Sequence, residues 1–245
     1  MAEVYYSISP YVYVANNPIS FTDPTGMIVE PIYDEDGNHL GNTKEGFTGQ
    51  VLIYSGNKDV DFSELSADEA MAMNGVDTYD NRRGSLSGDA KSNVWTHIAS
   101  QMEGQQIYDE TFSMSSIEGS KIYHDASDGG GWNSRPKSMY EGWNDRITGT
   151  DKYSYETTVE NIQSSVVVHE WYSHIMKGQG NFPYLKSHRL AYKNVINYKA
   201  LWNNTTDAYK GFNMRQLGKY IKEETGRPQV DPLYRNLYKI YKDKR

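Results

Sequence analysis

Apolar positions change their spacing along this chain, and the change marks where strands give way to helices. Between Met27 and Tyr54 they come in short β-branched or aromatic runs: Ile28-Val29, Pro31-Ile32-Tyr33 and Val51-Leu52-Ile53-Tyr54. Asp34-Glu35-Asp36-Gly37-Asn38 follows the second run and reads as a hairpin turn. It lacks the spaced ligands and distal bidentate glutamate of a calcium loop. From Ser63 the spacing becomes helical. Ser66, with Glu69 three residues on, makes a capping box for a short helix over 63–73. Val94, Trp95, Ile98 and Met102 define the stripe of a helix over 89–102 that Gly104 ends, and His97 falls off that stripe. Lys121 to Asp125 reads as a strand entering a rim loop at Asp128-Gly129-Gly130-Gly131-Trp132, with no Gly-Lys-Ser/Thr after it to make a phosphate loop. Four helices are predicted beyond it. The first runs from Tyr155 to Lys177, entered at Thr157 or Thr158 and broken by Gly178-Gln179-Gly180-Asn181. The second runs from near Ser187 to about Trp202. The third covers 207–224 behind a Thr206 cap, and the last covers 232–242 with Leu233, Leu237 and Ile240 or Tyr241 inward. The expected fold class is α+β, β-rich in the N-terminal part and helical in the C-terminal half.

Composition narrows the chemistry. The chain has 245 residues, 37% of them hydrophobic, and a mean hydropathy of -0.77, yet 21 tyrosines argue for a folded, tyrosine-rich core. With no cysteine, disulfides and thiolate ligands are excluded, leaving His, Asp and Glu as the strong metal ligands. No apolar run reaches the roughly 20 residues of a membrane span, and no secretory signal opens the sequence. The net charge of -7 argues against a general nucleic-acid binder. That charge is uneven: residues 186–245 carry +9 and residues 1–185 carry -16. The basic end either packs on the acidic front or forms a patch for an anionic partner.

The densest chemistry lies in Ser165-Val166-Val167-Val168-His169-Glu170-Trp171-Tyr172-Ser173-His174. Neutral imidazole is the commonest protein ligand for a divalent metal, and an adjoining carboxylate can deprotonate water that the ion polarises. In the zinc-protease helix the two histidines are four apart; His169 and His174 are five apart. At 3.6 residues per turn that step rotates the second imidazole by roughly 140° instead of roughly 40°. A shared ion therefore requires a one-residue π-bulge. The structural alternative puts Val159, Ile162, Val166 and His169 on one stripe, with His169 a core residue and Glu170 a surface acid. A catalytic Zn2+ takes three protein ligands and one open position. His188, on the helix folded back after the glycine-rich turn, is the third candidate, against a role as a solvated first-turn residue. Glu223 and Glu224 are alternative ligands, and His124 or Asp125 could join as ligand or outer carboxylate. His39 and His97 have no such placement. Glu170 is the candidate general base. Tyr192, one turn beyond His188, is either an oxyanion donor or packing.

Two resemblances frame these residues. Tyr11-x-Tyr13, Asn17-Pro18 and Asp23-Pro24-x-Gly26 resemble the closing segment of RHS-repeat (YD-repeat) proteins, over about residues 4–27. In that family the segment closes a large β-shell, and the polymorphic domain behind it is usually a toxin. Members are often autocleaved just after the Asp-Pro-x-Gly, which places the boundary at Met27 and makes Asp23 similar to the acid implicated. The chain is thereby expected to be a carrier remnant at 1–27 followed by a toxin domain at 28–245. Second, Val167 to His174, Lys177-Gly178 and Ser187-His188-Arg189-x-Ala191-Tyr192 resemble a metallopeptidase-type toxin tip found behind RHS cores. That resemblance covers roughly residues 160–195 and implies a zincin-like helical half. The five-residue step also occurs in dipeptidyl-peptidase III-type metallopeptidases, and Ser173 stands where both patterns prefer glycine.

These resemblances imply a zinc-dependent hydrolase, a metallopeptidase acting on a protein or peptide substrate as the toxic domain of an interbacterial effector. They also imply delivery into a target cell by the RHS carrier and a secretion apparatus instead of a signal peptide, and a cognate immunity protein. Two rival readings are an RHS-tip nuclease, using the basic C-terminal helices with His124 or His188, and a non-catalytic binding module whose histidines are structural.

Overall fold

Four short strands and a helical half are joined through the start of the helix that carries the histidines. The structure, a computed structural model, describes residues 30–44, 46–57, 59–118, 122–123, 131–132, 155–179, 182–228 and 232–244. The expected carrier remnant at 1–27, Ile28-Val29, His124, Asp125 and Asp128 to Gly130 lie outside the described residues.

Strands β1 (Pro31–Asp34), β2 (His39–Asn42), β3 (Leu52–Tyr54) and β4 (Val76–Thr78) form a sheet of order β2-β1-β3-β4. β1 pairs antiparallel with β2 and parallel with β3, and β4 runs antiparallel to β3. The acidic run between β1 and β2 is a hairpin turn, as expected. Asp34 Oδ1 accepts from the backbone N–H groups of Asp36 (3.0 Å) and Asn38 (2.8 Å), so its carboxylate closes the turn. Gly37 takes φ 78°, and a Cβ there would sit 2.2 Å from the Ala90 carbonyl oxygen. Only glycine lets the hairpin approach the following helix so closely. Strand alternation splits the core. Ile32, Leu52 and Tyr54 pack with Phe62 and Ala70 on one face, while Tyr33, Val51 and Ile53 enter the main core on the other.

Helix α1 (Ala67–Met71) has the expected capping box of Ser66 and Glu69. After α2 (Tyr79–Arg82), α3 (Gly88–Ser100) starts at a Ser87 cap and buries Val94, Trp95 and Ile98. The sequence reading missed the hairpin β5 (Gln106–Ile107) and β6 (Glu110–Thr111), which precedes α4 (Met114–Glu118). β7 (Ile122–Tyr123) pairs antiparallel with β8 (Gly131–Trp132), so the end of the expected rim loop is a strand.

In the C-terminal half, α5 (Val159–Gln163) continues into a π-helical segment, Ser164–Met176. The expected helix over 187–202 is two: α6 (Tyr184–Asn197) and α7 (Lys199–Trp202), separated where Tyr198 leaves helical geometry at ψ 83°. α8 (Asp207–Thr225) has its Thr206 cap and ends at Gly226 with φ 67°. α9 (Pro232–Tyr241) corrects its predicted face. Tyr234 is buried and Leu237 and Tyr241 pack inward, whereas Leu233 and Ile240 are more than half exposed. The Tyr234 hydroxyl accepts from Asn197 Nδ2 (2.8 Å), which draws that position into the core. α6 packs on both the π segment and α8, and α8 on α9. The architecture is α+β, a small sheet in the N-terminal part and helices in the C-terminal half. Among the described residues no helix is long and apolar enough to cross a membrane.

Candidate metal centre

Thr158 caps the site-bearing helix, its side chain accepting from Asn161 N–H. The surrounding backbone fastens that start to the sheet: Val159 N donates to the Gly49 carbonyl (2.8 Å), and Gly49 N donates to both oxygens of Glu160 (3.1 and 3.3 Å). Burial pushes the Glu160 carboxyl above its ordinary range. Asn161, fully buried, donates to the Glu156 carbonyl (2.7 Å) and accepts from Thr206 N (3.2 Å), tying the entry of this helix to the cap of α8. The histidines thus start from an anchored base.

Beyond Gln163 the helix widens. Where hydrogen bonds run from i to i+5, residues five apart become stacked neighbours, as residues four apart are in an α-helix. This is the geometry that a five-residue step requires to bring His169 and His174 onto one face. The expected single bulge is here a π segment of thirteen residues. Ser173, just before His174 in this segment, is fully buried, and its hydroxyl donates to the Val168 carbonyl (2.8 Å) while accepting from Asn194 Nδ2 of α6 (3.0 Å). A glycine there would ease the bulge; the serine instead braces it from α6. The two aromatics after Glu170 hold the outer side. Trp171 Nε1 donates to Ser116 Oγ (2.6 Å), and the Tyr172 hydroxyl donates to Asp109 (2.9 Å).

His188 meets the pair from α6, so three imidazoles converge. One ring nitrogen from each of His169, His174 and His188 lies within 4.8 Å of the others, close enough to bind a metal ion. Around a tetrahedral ion with bonds of about 2.0–2.1 Å, such nitrogens stand roughly 3.3 Å apart, so small side-chain rotations close the set. Each outer hydrogen bond favours this. His188 Nδ1 donates to the Tyr184 carbonyl (3.2 Å), which puts its lone pair on Nε2. His174 Nδ1 meets Ser187 Oγ (3.0 Å); in the tautomer that donates to this hydroxyl, its lone pair is also on Nε2. Burial, and then the nearby His188, push the His174 pKa down to about 3, so the ring is neutral, as a ligand must be. An all-imidazole triad suits a borderline divalent ion and leaves a fourth position open.

Glu170, the residue after His169, lies beside the cluster. Its carboxylate lies 3.7 Å from His169 Nε2 and is only slightly exposed. Tyr192 is buried, its ring 4.6 Å from that of His169. Burial, then the neighbouring Tyr220, hold its hydroxyl well above the usual tyrosine range, so it remains a donor. Tyr220 itself was missed by the sequence reading. It comes from α8, stacks on Tyr192 at 5.7 Å between centroids, and lies 5.3 Å from the His188 ring.

The alternative ligands are elsewhere. Glu224 is paired with Arg189, and Glu223 lines a separate cavity. His39 and His97 stack on each other at 4.3 Å, and His97, off the apolar stripe of its helix yet half-buried, bonds the Tyr33 hydroxyl through Nδ1 (2.9 Å). His188 sits in the second turn of its helix, not the first, because α6 begins at Tyr184. Ser187, where the sequence places the start of this helix, lies inside it, with its hydroxyl against His174 Nδ1. No protein-family model matches the chain, and no curated protein or solved structure shows significant similarity to it.

Proposed function

We propose that this protein is a zinc-dependent hydrolase of peptide or amide bonds, with His169, His174 and His188 as the metal ligands. The observation that carries the reading is the convergence of three neutral-capable imidazoles beside a carboxylate 3.7 Å from one of them. Zinc bound there would supply Lewis acidity to water and to the scissile carbonyl. Glu170 accepts a proton from the attacking water and hands it to the departing amine nitrogen as the C–N bond breaks. Tyr192, kept protonated by burial, donates to the oxyanion of the tetrahedral intermediate. Ser187 and the Tyr184 carbonyl orient two of the three imidazoles.

The resemblance of residues 4–27 to an RHS closing segment supports the further reading that the hydrolase is the toxic domain of a delivered effector with an immunity partner. The test compares wild type with Glu170→Gln on expression, with the proteome of the affected cells examined for new termini. The proposal expects growth arrest and new termini in wild type only. Equal toxicity of the two, or nicking of plasmid DNA or RNA that survives Glu170→Gln, contradicts it.

A further inference from the structure

Among the described residues, the ion pairs Arg189–Glu224 and Lys244–Asp207 both lie within the basic C-terminal part. Part of that charge surrounds a cavity of about 660 Å³ between α8 and α9, lined by Arg215, Lys219, Lys222 and Arg235, with Glu223 as the one acid. Its floor is apolar, from Met214, Leu217 and Tyr234, and the exposed ring of Tyr238 stands at its edge. Tyr220, the α8 residue that meets His188, does not line it, so the cavity is separate from the histidine cluster.

We propose that this cavity binds an aromatic ring compound carrying a diphosphate, the chemistry of a nucleoside diphosphate. Three observations select that class. The volume falls within the roughly 300–1,000 Å³ of small-molecule sites. The lining holds four cationic side chains and one carboxylate, an excess of positive charge that suits the phosphates of such a compound. The apolar floor and Tyr238 offer a ring a stacking surface. A long polyanion is disfavoured because the cations are gathered in one concavity. Arg215 already caps the end of α9, donating to the carbonyls of Lys242 (2.7 Å) and Lys244 (2.9 Å), and so forms a fixed part of the wall.

The test is a titration of the full chain with methylanthraniloyl-ADP, followed by fluorescence anisotropy in EDTA so that no metal at the histidines contributes. Saturable one-site binding is expected, displaced by ADP and at least about tenfold less well by adenosine or by inorganic phosphate. K219E, K222E and R235E, at exposed positions, should each weaken it by about tenfold or more with unchanged thermal melts. Absence of saturable binding up to about millimolar probe, binding indifferent to all three charge reversals, or displacement by a single-stranded oligonucleotide at far lower concentration than ADP would each overturn the assignment.

Discussion

Replacing Ser173 with alanine tests whether the widened helix is held open by its neighbour. The hydroxyl is fully buried and makes two bonds, to the Val168 carbonyl and from Asn194 Nδ2. Its removal leaves the partly buried Asn194 amide without this acceptor, at a cost of about 1–3 kcal/mol. For a chain of this size that lowers Tm by roughly 2–4 °C per kcal/mol. The same loss relaxes the turn between His169 and His174, and outer supports of this kind typically contribute about 10–100-fold to metal affinity. Differential scanning calorimetry measures the first effect and competition with a calibrated zinc chelator the second. A cycle with Asn194→Ala should show a coupling of at least about 0.5 kcal/mol, since the two groups touch. If Ser173→Ala melts like wild type and holds zinc equally well, the serine is not the brace, and the account of the five-residue step is wrong.

Other consequences follow from burial and close approach. The raised pKa of Glu160 means that the folded state holds a proton that the unfolded chain releases, so its contribution to stability falls as pH rises from the ordinary 4.5 through the raised value. Glu160→Gln should therefore melt at or above wild type at pH 7, with the gap closing near pH 4 in melts across that range. Gly211→Ala would place a Cβ 2.6 Å from the carbonyls of Tyr241 and Lys244, displacing the end of α9 at a cost of about 1–3 kcal/mol, read by thermal melts. His97 should titrate at about 4 instead of its ordinary 6.5, mainly because it is desolvated and secondly because of the His39 charge; the NMR shift of its imidazole against pH checks this.

What the sequence disclosed was local. The capping box at Ser66 and Glu69, the hairpin at Asp34-Gly37 and the helix stripe at Val94, Trp95 and Ile98 depend on residues a few positions apart, and the structure bears them out. The demand for a π distortion was also legible, because a five-residue step has only that way to align two imidazoles. Its extent was not, since the bracing Asn194 comes from another helix. Tyr220 was hidden for the same reason: nothing near it in sequence hints that α8 returns to His188. Tyr108 turns the β5–β6 hairpin at φ 55°, a conformation usually announced by Gly or Asn, so that hairpin had no signal. On α9 the apolar residues fit two neighbouring stripes. Tyr234 decided between them by bonding Asn197 across the fold.

The central claim is that one cation sits among His169, His174 and His188. Metal analysis of the purified chain after dialysis tests it directly, with His169→Ala and His188→Ala purified alongside. The account predicts close to one zinc per wild-type chain and near none in either variant, with the far-UV spectrum unchanged. A wild type without metal, or variants that retain it in full, would contradict it.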